Sequence, residues 1–233
     1  GLGLSANGGF GPETDIASDD PAVRRRGIEL AKRIIEGLSR MDITSWSGVV
    51  YGAWKMLPAP GSIFTADHKK QAWEHSVNSL KEILRTAGDY QVTLSLEVVN
   101  RYEHYLLNTA EEGVRMAEET ESGFCKVLLD SFHMNIEETS FYEPVIAAGS
   151  RLRHIHMTES DRGMLGEGNV RWDDLFRGLQ EIDFNGNLVL ENFSNSVPGM
   201  AVAVSLWRPS KYNADELAKG SLAFMRKMTC EHQ

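Results

Sequence analysis

Several features that define other protein classes are scarce in this chain. It has 2 cysteines among 233 residues, which gives neither a disulfide framework nor a zinc-binding pattern and weakly favours a reducing compartment. No apolar run approaches the roughly 20 residues that span a bilayer, and we expect no membrane partner. Basic residues are outnumbered, with 24 Lys and Arg against 33 Asp and Glu and a net charge of −9. We therefore expect no nucleic-acid partner, since nucleic-acid-binding surfaces usually carry a basic stripe.

The composition and length are those of an ordinary folded domain. Hydrophobic residues make up 42% of the chain and charged residues 24%, which is enough to build a sizeable core. We expect a single domain over residues 1–233. The chain starts with Gly1 inside a strand-like stretch, without an initiator Met or the layout of a signal peptide. We therefore expect that the true start lies before Gly1, and we assign a cytoplasmic location by default.

Strand-like apolar stretches alternate with amphipathic helices along the chain. Strands are predicted at residues 1–6, 47–53, 91–98, 125–130, 152–157 and 187–192. The first helix is predicted to begin at Asp20-Pro21, with Asp as the N-cap and Pro in the first helical position. The last is predicted from Ala214 to about Met228, after a long loop at 193–211. This alternation indicates an α/β fold whose parallel sheet is covered by helices.

The number of repeating units bears on the type of sheet. Six βα units are two short of the common eight-stranded barrel. The sheet is therefore either open, or two units are missing before Gly1. The strand-like start without Met favours the second interpretation.

Four of the predicted strands end on side chains of the metal-ligating type, namely Glu97, Asp130, His156 and Glu191. Active sites of parallel α/β folds lie at the carboxyl ends of the strands, where these residues would meet. Three carboxylates and one imidazole suit a divalent cation that prefers oxygen ligands. Mn²⁺ fits best, with Mg²⁺ or Co²⁺ as alternatives. A cation also explains the crowding, because otherwise one of the three carboxylates would take up a proton.

The segments around these residues resemble a known family. LEVVNRYE, LLDSFHMNIEE, HIHMTESDR and VLENF are similar to segments of the ketose 3-epimerases, the family of D-tagatose and D-psicose 3-epimerases. The resemblance extends from the first strand to the strand at 187–192 and, more loosely, to the last helix. It implies a xylose-isomerase-like (β/α)₈ TIM barrel. It also aligns residue 1 with about the third strand of that barrel, so the first two βα units are expected to be missing from this chain.

The resemblance also implies a role for individual residues. Glu97, Asp130, His156 and Glu191 match the metal ligands of the family, and Glu97 and Glu191 match its two catalytic acid/bases. The positions that match residues binding the sugar are Glu103, His133 and Arg162, which contact hydroxyls, and Trp54, which packs on the substrate. Taken alone, His133 is equally a capping or core histidine, and Glu159 belongs either to the outer shell of the metal site or to a solvated loop.

The implied reaction is metal-dependent epimerisation of free ketohexoses, between D-tagatose and D-sorbose or between D-psicose and D-fructose. The proton at C3 is acidified by the C2 carbonyl. One glutamate would remove it and the other would return a proton from the opposite face, with the metal stabilising the enediolate. L-Ribulose and D-xylulose are further expected substrates. No phosphate cradle is visible in the sequence, which favours an unphosphorylated sugar.

This chain departs from the family pattern at several positions. It has Met157-Thr158-Glu159 after the metal histidine, where the family has Thr-Gly-Glu, and Asn192 where the family has proline. The segment GMLGEG at 163–168 is also less basic than the family's. These departures surround the expected pocket and leave the ligands intact, so they bear on the substrate rather than on the chemistry.

Three other functions are compatible with parts of this pattern. The nearest is an aldose–ketose isomerase or another sugar epimerase on the same barrel, which fold alone does not separate. A metal-dependent AP endonuclease of the same fold would need more histidines and a basic surface. A non-catalytic barrel fragment would expose two sheet edges and should associate. For the intact protein we expect a homo-oligomer, either a dimer or a tetramer.

Overall fold

The structure, a computed structural model, describes residues 2–193, 197 and 199–232. Within them six parallel strands form one sheet in chain order. The strands are β1 (Ala6–Asn7), β2 (Ser45–Gly48), β3 (Thr93–Val98), β4 (Cys125–Asp130), β5 (Leu152–Met157) and β6 (Asn187–Leu190). The predicted α/β class with a parallel sheet is confirmed.

Helices connect the strands and cover the sheet. Those in the described part of the chain are α1 (Pro21–Arg40), α2 (Ala66–Asp89), α3 (Ala110–Glu119), α4 (Ser131–Glu137), α5 (Glu143–Ala148), α6 (Trp172–Glu181), α7 (Met200–Ala203) and α8 (Ala214–Glu231). The helix α1 begins as predicted, because the Asp20 side chain accepts a hydrogen bond from the Ala22 backbone and Pro21 takes the first helical position. None of these described helices has the length and apolar content needed to cross a membrane.

The strand register determines which side chains share the inner face of the sheet. Glu97 pairs with Leu128, two residues before Asp130, and Asp130 pairs with His156. His156 in turn pairs with Val189, two residues before Glu191. Paired residues in a sheet point to the same side, and side chains two residues apart share a face. The register therefore directs all four predicted ligands to one side of the sheet.

The second strand differs from its predicted position at 47–53. It ends at Gly48, which has a backbone φ of +128°, a conformation that glycine adopts readily. A Cβ atom at this position would lie 2.3 Å from the Gly8 carbonyl oxygen, so the close approach of the two chain segments also requires glycine. Beyond Gly48 the chain leaves the ladder, and an isolated bridge joins Ala53 to Phe10 in the first loop. The first strand is likewise shorter than predicted.

Two short helices were not expected from the sequence. The helix α4 follows β4 directly because the Asp130 carboxylate accepts a hydrogen bond from the Phe132 N–H at 2.7 Å, so the residue that ends the strand also caps the helix. The helix α7 lies within the predicted loop at 193–211, of which residues 194–196 and 198 fall outside the described residues. The helix α5 begins at Glu143, and Ser140 Oγ accepts hydrogen bonds from the backbone N–H groups of Tyr142 and Glu143.

Candidate metal centre

The four predicted metal ligands meet at the carboxyl end of the sheet. Glu97, Asp130, His156 and Glu191 each offer one ligand atom within 4.8 Å of the others. His156 Nδ1 lies 3.2 Å from a Glu97 oxygen, 3.6 Å from Asp130 Oδ2 and 3.5 Å from a Glu191 oxygen. One imidazole nitrogen thus faces three carboxylates.

Three carboxylates lie close together in this cluster, and a positive charge among them would reduce their mutual repulsion. Asp130 is fully buried, and its Oδ2 has no hydrogen-bond partner among the described residues. Burial raises the pKa of Glu191 to about 8, and repulsion from Asp130 adds to the rise. Burial opposes protonation of His156, but the neighbouring carboxylates of Asp130 and Glu97 raise its pKa to about 11. Without a cation, the cluster must therefore hold protons to offset its carboxylates.

The residues present fit a divalent cation. Ligands about 2.1 Å from a common ion lie roughly 3 to 4 Å apart, which is the spacing of the carboxylate oxygens from His156 Nδ1. The unpartnered Oδ2 of Asp130 would gain a ligand bond. The other ring nitrogen of His156, Nε2, lies 3.4 Å from Asn7 Nδ2, so Asn7 borders the cluster on this side.

The four predicted sugar-binding residues lie around the same cavity. It has a volume of about 460 Å³ and is lined by Trp54, Glu97, Glu103, His133, Arg162 and Glu191, among others. The Trp54 indole N–H donates to Glu103 Oε2 at 2.7 Å. Arg162 donates to Glu191 Oε2 at 2.6 Å. The structure therefore brings together the four predicted metal ligands and the four predicted sugar-binding residues.

His133 is held in a defined orientation at the edge of this cavity. Its Nδ1 accepts a hydrogen bond from the Asn100 backbone N–H at 3.2 Å. A ring nitrogen that accepts carries no proton, so a neutral His133 has its proton on Nε2. This Nε2 lies 4.0 Å from Asp130 Oδ2. His133 is thus oriented with a donor toward the metal cluster rather than acting as a helix cap.

Comparison with known proteins identifies the family. A family model described as a xylose isomerase-like TIM barrel matches residues 1–228. The chain belongs to this family. The ketose 3-epimerase of Arthrobacter globiformis is 36% identical over 228 residues, covering 97% of this chain and 76% of that protein. The D-psicose 3-epimerase of Enterocloster bolteae is 35% identical, covering 96% and 75%.

A solved structure agrees with these relatives. The D-allulose 3-epimerase from Methylomonas sp. in complex with D-allulose superposes with a TM-score of 0.87 at 34% identity, covering 96% of this chain and 76% of that one. The predicted resemblance to the ketose 3-epimerases and the predicted fold class are confirmed. This member of the xylose isomerase-like family is an isomerase-class enzyme.

The structure adds residues to the site that sequence reasoning missed. The guanidinium carbon of Arg162 lies close to two aromatic rings, 4.0 Å from the centre of Phe132 and 4.7 Å from that of Phe193. Asn7 contacts His156. It lies at the end of β1, on the same face of the sheet as the cluster, and a strand-end position is the feature by which the sequence could have indicated it. The two phenylalanines gave no such signal, since aromatic residues beside strand ends are ordinary core material.

Glu159 has neither of the two roles considered for it. Its side chain is buried and accepts hydrogen bonds from the backbone N–H groups of Gly166 and Val170 and from the indole of Trp172. It therefore organises the loop that follows β5 from within. His154 is buried beneath the cluster, with its ring centre 5.1 Å from that of His156.

Proposed function

We propose that this chain is a divalent-metal-dependent ketose 3-epimerase acting on unphosphorylated ketoses, with D-tagatose/D-sorbose and D-psicose/D-fructose as the substrate pairs. The proposal rests mainly on one observation: Glu97 and Glu191 both line the same cavity, and both belong to the cluster of four candidate ligands. Relatives named ketose 3-epimerase and D-psicose 3-epimerase support the choice of reaction.

Glu97, Asp130, His156 and Glu191 would hold the cation. Mn²⁺ suits three carboxylates and one imidazole best, and Mg²⁺ or Co²⁺ are alternatives. When bound, the metal supplies Lewis-acid stabilisation for negative charge that develops on the sugar oxygens. The buried Oδ2 of Asp130 and the inward-facing Nδ1 of His156 support this assignment, because both atoms point into the cluster.

Glu97 and Glu191 would act as the two catalytic acid/bases. One removes the proton from C3 and the other delivers a proton to the opposite face of C3, which inverts that centre. Glu97 lies on β3 and Glu191 follows β6, with β4 and β5 between them. This separation lets the two carboxylates approach a bound sugar from different sides, as inversion requires.

The remaining site residues would hold the sugar. Glu103, His133 and Arg162 offer a carboxylate, an Nε2–H and a guanidinium toward the cavity, which suits hydroxyl and carbonyl oxygens. Trp54 lines the same cavity and would pack on the apolar face of the sugar. The cavity of about 460 Å³ lies within the usual range for small-molecule sites.

The test is to incubate D-fructose and D-tagatose with the protein and Mn²⁺ and to separate the products by chromatography. We expect D-psicose and D-sorbose to form. Replacing Glu191 by Gln should lower the rate by about 10² to 10⁴-fold, the usual contribution of a positioned acid or base. The exposed Glu111 on α3 provides the matched control, and Glu111→Gln should retain full activity.

The products separate the proposal from its nearest alternative. Formation of an aldose would assign the chain to the aldose–ketose isomerases instead. No turnover of any ketose, with the metal bound, would contradict the proposed reaction while leaving the metal centre in place.

A further inference from the structure

Asn192 connects two parts of the site that are distant in sequence. It lies between Glu191 and Phe193 in the segment that follows β6. Its side-chain Nδ2 donates to the backbone oxygen of Arg162 at 3.0 Å and to that of Gly163 at 2.9 Å. A single amide thus binds two consecutive carbonyls in the loop after β5.

The segment 191–193 contacts Arg162 through all three of its side chains. The Glu191 carboxylate accepts from the guanidinium at 2.6 Å, Asn192 holds the backbone carbonyl, and the Phe193 ring lies 4.7 Å from the guanidinium carbon. The ring centre of Phe132 lies 4.0 Å from the same guanidinium carbon. Arg162 is therefore positioned almost entirely by its neighbours and is only 7% exposed.

The backbone at Arg162 needs such support. Its φ of +57° lies in the left-handed region, which non-glycine residues adopt at a cost and retain only when their surroundings hold them there. The Arg162 N–H donates to the Glu159 carbonyl at 2.9 Å, and the buried Glu159 carboxylate fixes the remainder of the loop. On the opposite side, the bonds from Asn192 restrain the carbonyls of Arg162 and Gly163.

We propose that Asn192 is a positioning residue that sets the guanidinium of Arg162 against Glu191. It donates two hydrogen bonds, which hold the loop after β5 at a fixed position relative to the segment after β6. The catalytic consequence rests on the proposed function, because it assumes that Arg162 contacts the sugar and that Glu191 moves a proton. The placement of Arg162 by Asn192 does not depend on that assumption.

The test compares Asn192→Asp, Asn192→Ala and Asn169→Ala. Aspartate has the size of asparagine but presents only acceptors to the two carbonyls, whereas alanine removes both bonds and the volume. Asn169 is an exposed residue in the loop after β5 and serves as the control. Thermal melting with circular dichroism establishes that each variant is folded.

The first measurement is the NMR signal of the Arg162 side-chain Nε–H, assigned through Arg162→Lys. This nitrogen is buried and has no hydrogen-bond partner in the described structure, so its signal should be separate from those of exposed arginines. We expect both Asn192 variants to shift or broaden it and Asn169→Ala to leave it unchanged. An unchanged signal in Asn192→Asp would overturn the proposal whether or not the protein turns over a ketose.

The second measurement is the kinetics of D-fructose epimerisation with Mn²⁺. Misplacing a group at a reacting centre commonly costs about 10 to 100-fold in kcat/KM, and we expect Asn192→Asp to lose at least as much as Asn192→Ala. The Asn192→Ala loss should largely disappear in an Arg162→Lys background, since coupled residues are not additive. Wild-type activity in Asn192→Asp, or additive losses in the double variant, would overturn the proposal. If the wild type turns over no ketose, the proposed function fails and the Arg162 signal alone decides this inference.

Discussion

At the scale of single residues, His104 shows how burial changes the protonation of a group outside the site. It is 2% exposed, its ring stacks on Tyr105 at 5.0 Å, and its Nδ1 accepts from the Leu106 N–H at 3.1 Å. Burial lowers the pKa of His104 to about 4, and the charge of Lys69 contributes. The folded protein therefore keeps this imidazole neutral well below its ordinary pKa.

This shift predicts a loss of stability in mild acid. The unfolded chain binds a proton at His104 below about pH 6.5, whereas the folded chain does so only near pH 4. Stability should therefore fall by roughly 3 kcal/mol between these values from this group alone and level off below them. Urea titrations at several pH values would measure the fall. His104→Asn keeps an acceptor for Leu106 and should show a shallower fall, and an unchanged slope would contradict the assignment.

A second residue-scale prediction concerns Asp130, which combines two roles. Asparagine at this position can still cap α4 through its side-chain oxygen but contributes no charge to the cluster. We expect Mn²⁺ at 100 times its Kd to stabilise the wild type by about 2.7 kcal/mol and Asp130→Asn by much less. Thermal melts with Mn²⁺ and with a chelator would measure this difference. Equal stabilisation of both proteins would argue against Asp130 as a ligand.

At the scale of elements, the helix α1 packs closely on the loop before it. A Cβ atom at Gly27 would lie 2.2 Å from the Thr14 carbonyl oxygen and 2.6 Å from the Ile16 side chain, whereas one at Gly37 would meet nothing within 4 Å. The two glycines occupy the same helix and differ mainly in this contact. The close approach at Gly27 fixes how α1 sits against the loop.

This contrast predicts opposite effects for one substitution. Gly27→Ala should lower the free energy of unfolding by about 1 to 3 kcal/mol, since the backbone of residue 14 must move. Gly37→Ala should raise it by roughly 0.5 to 1 kcal/mol, because alanine loses less conformational entropy in a helix. Chemical denaturation of both variants measures the two changes, and a neutral or stabilising Gly27→Ala would mean that the loop yields without cost.

At the scale of the whole molecule, several large apolar side chains remain exposed. They include Ile63 at 85%, Trp207 at 73% and Val202 at 68%. Exposed apolar surface favours association. We therefore expect the homo-oligomer predicted from the sequence, a dimer or a tetramer, when light scattering is measured at micromolar concentration. A monomer throughout that range would contradict the expectation. Ile63→Asp should weaken the association if the loop between β2 and α2 takes part in it.

The four residues of the candidate metal cluster could be identified from the sequence because each lies at the end of its own strand. Glu97, Asp130, His156 and Glu191 end four apolar runs in turn, and strand ends of a parallel sheet lie on one side. Because side chains alternate between the two faces of a strand, the position of each residue in its strand also predicts which face its side chain lies on. The helix cap at Asp20 is similarly local, since it depends on a side chain and a backbone N–H two residues away.

Contacts between distant segments could not be read in this way. The short β2 depends on Gly8 approaching Gly48, and the orientation of Arg162 depends on Phe132, Phe193 and Asn192. The residue spacing within one segment does not indicate which distant segment will contact it. The sequence by itself determined the alternating fold, the four residues of the candidate metal cluster and the resemblance to ketose 3-epimerases, because periodicity and local order carry that information. Only the tertiary structure decided where the strands stop and what holds Arg162, because both depend on contacts between segments that are distant in sequence.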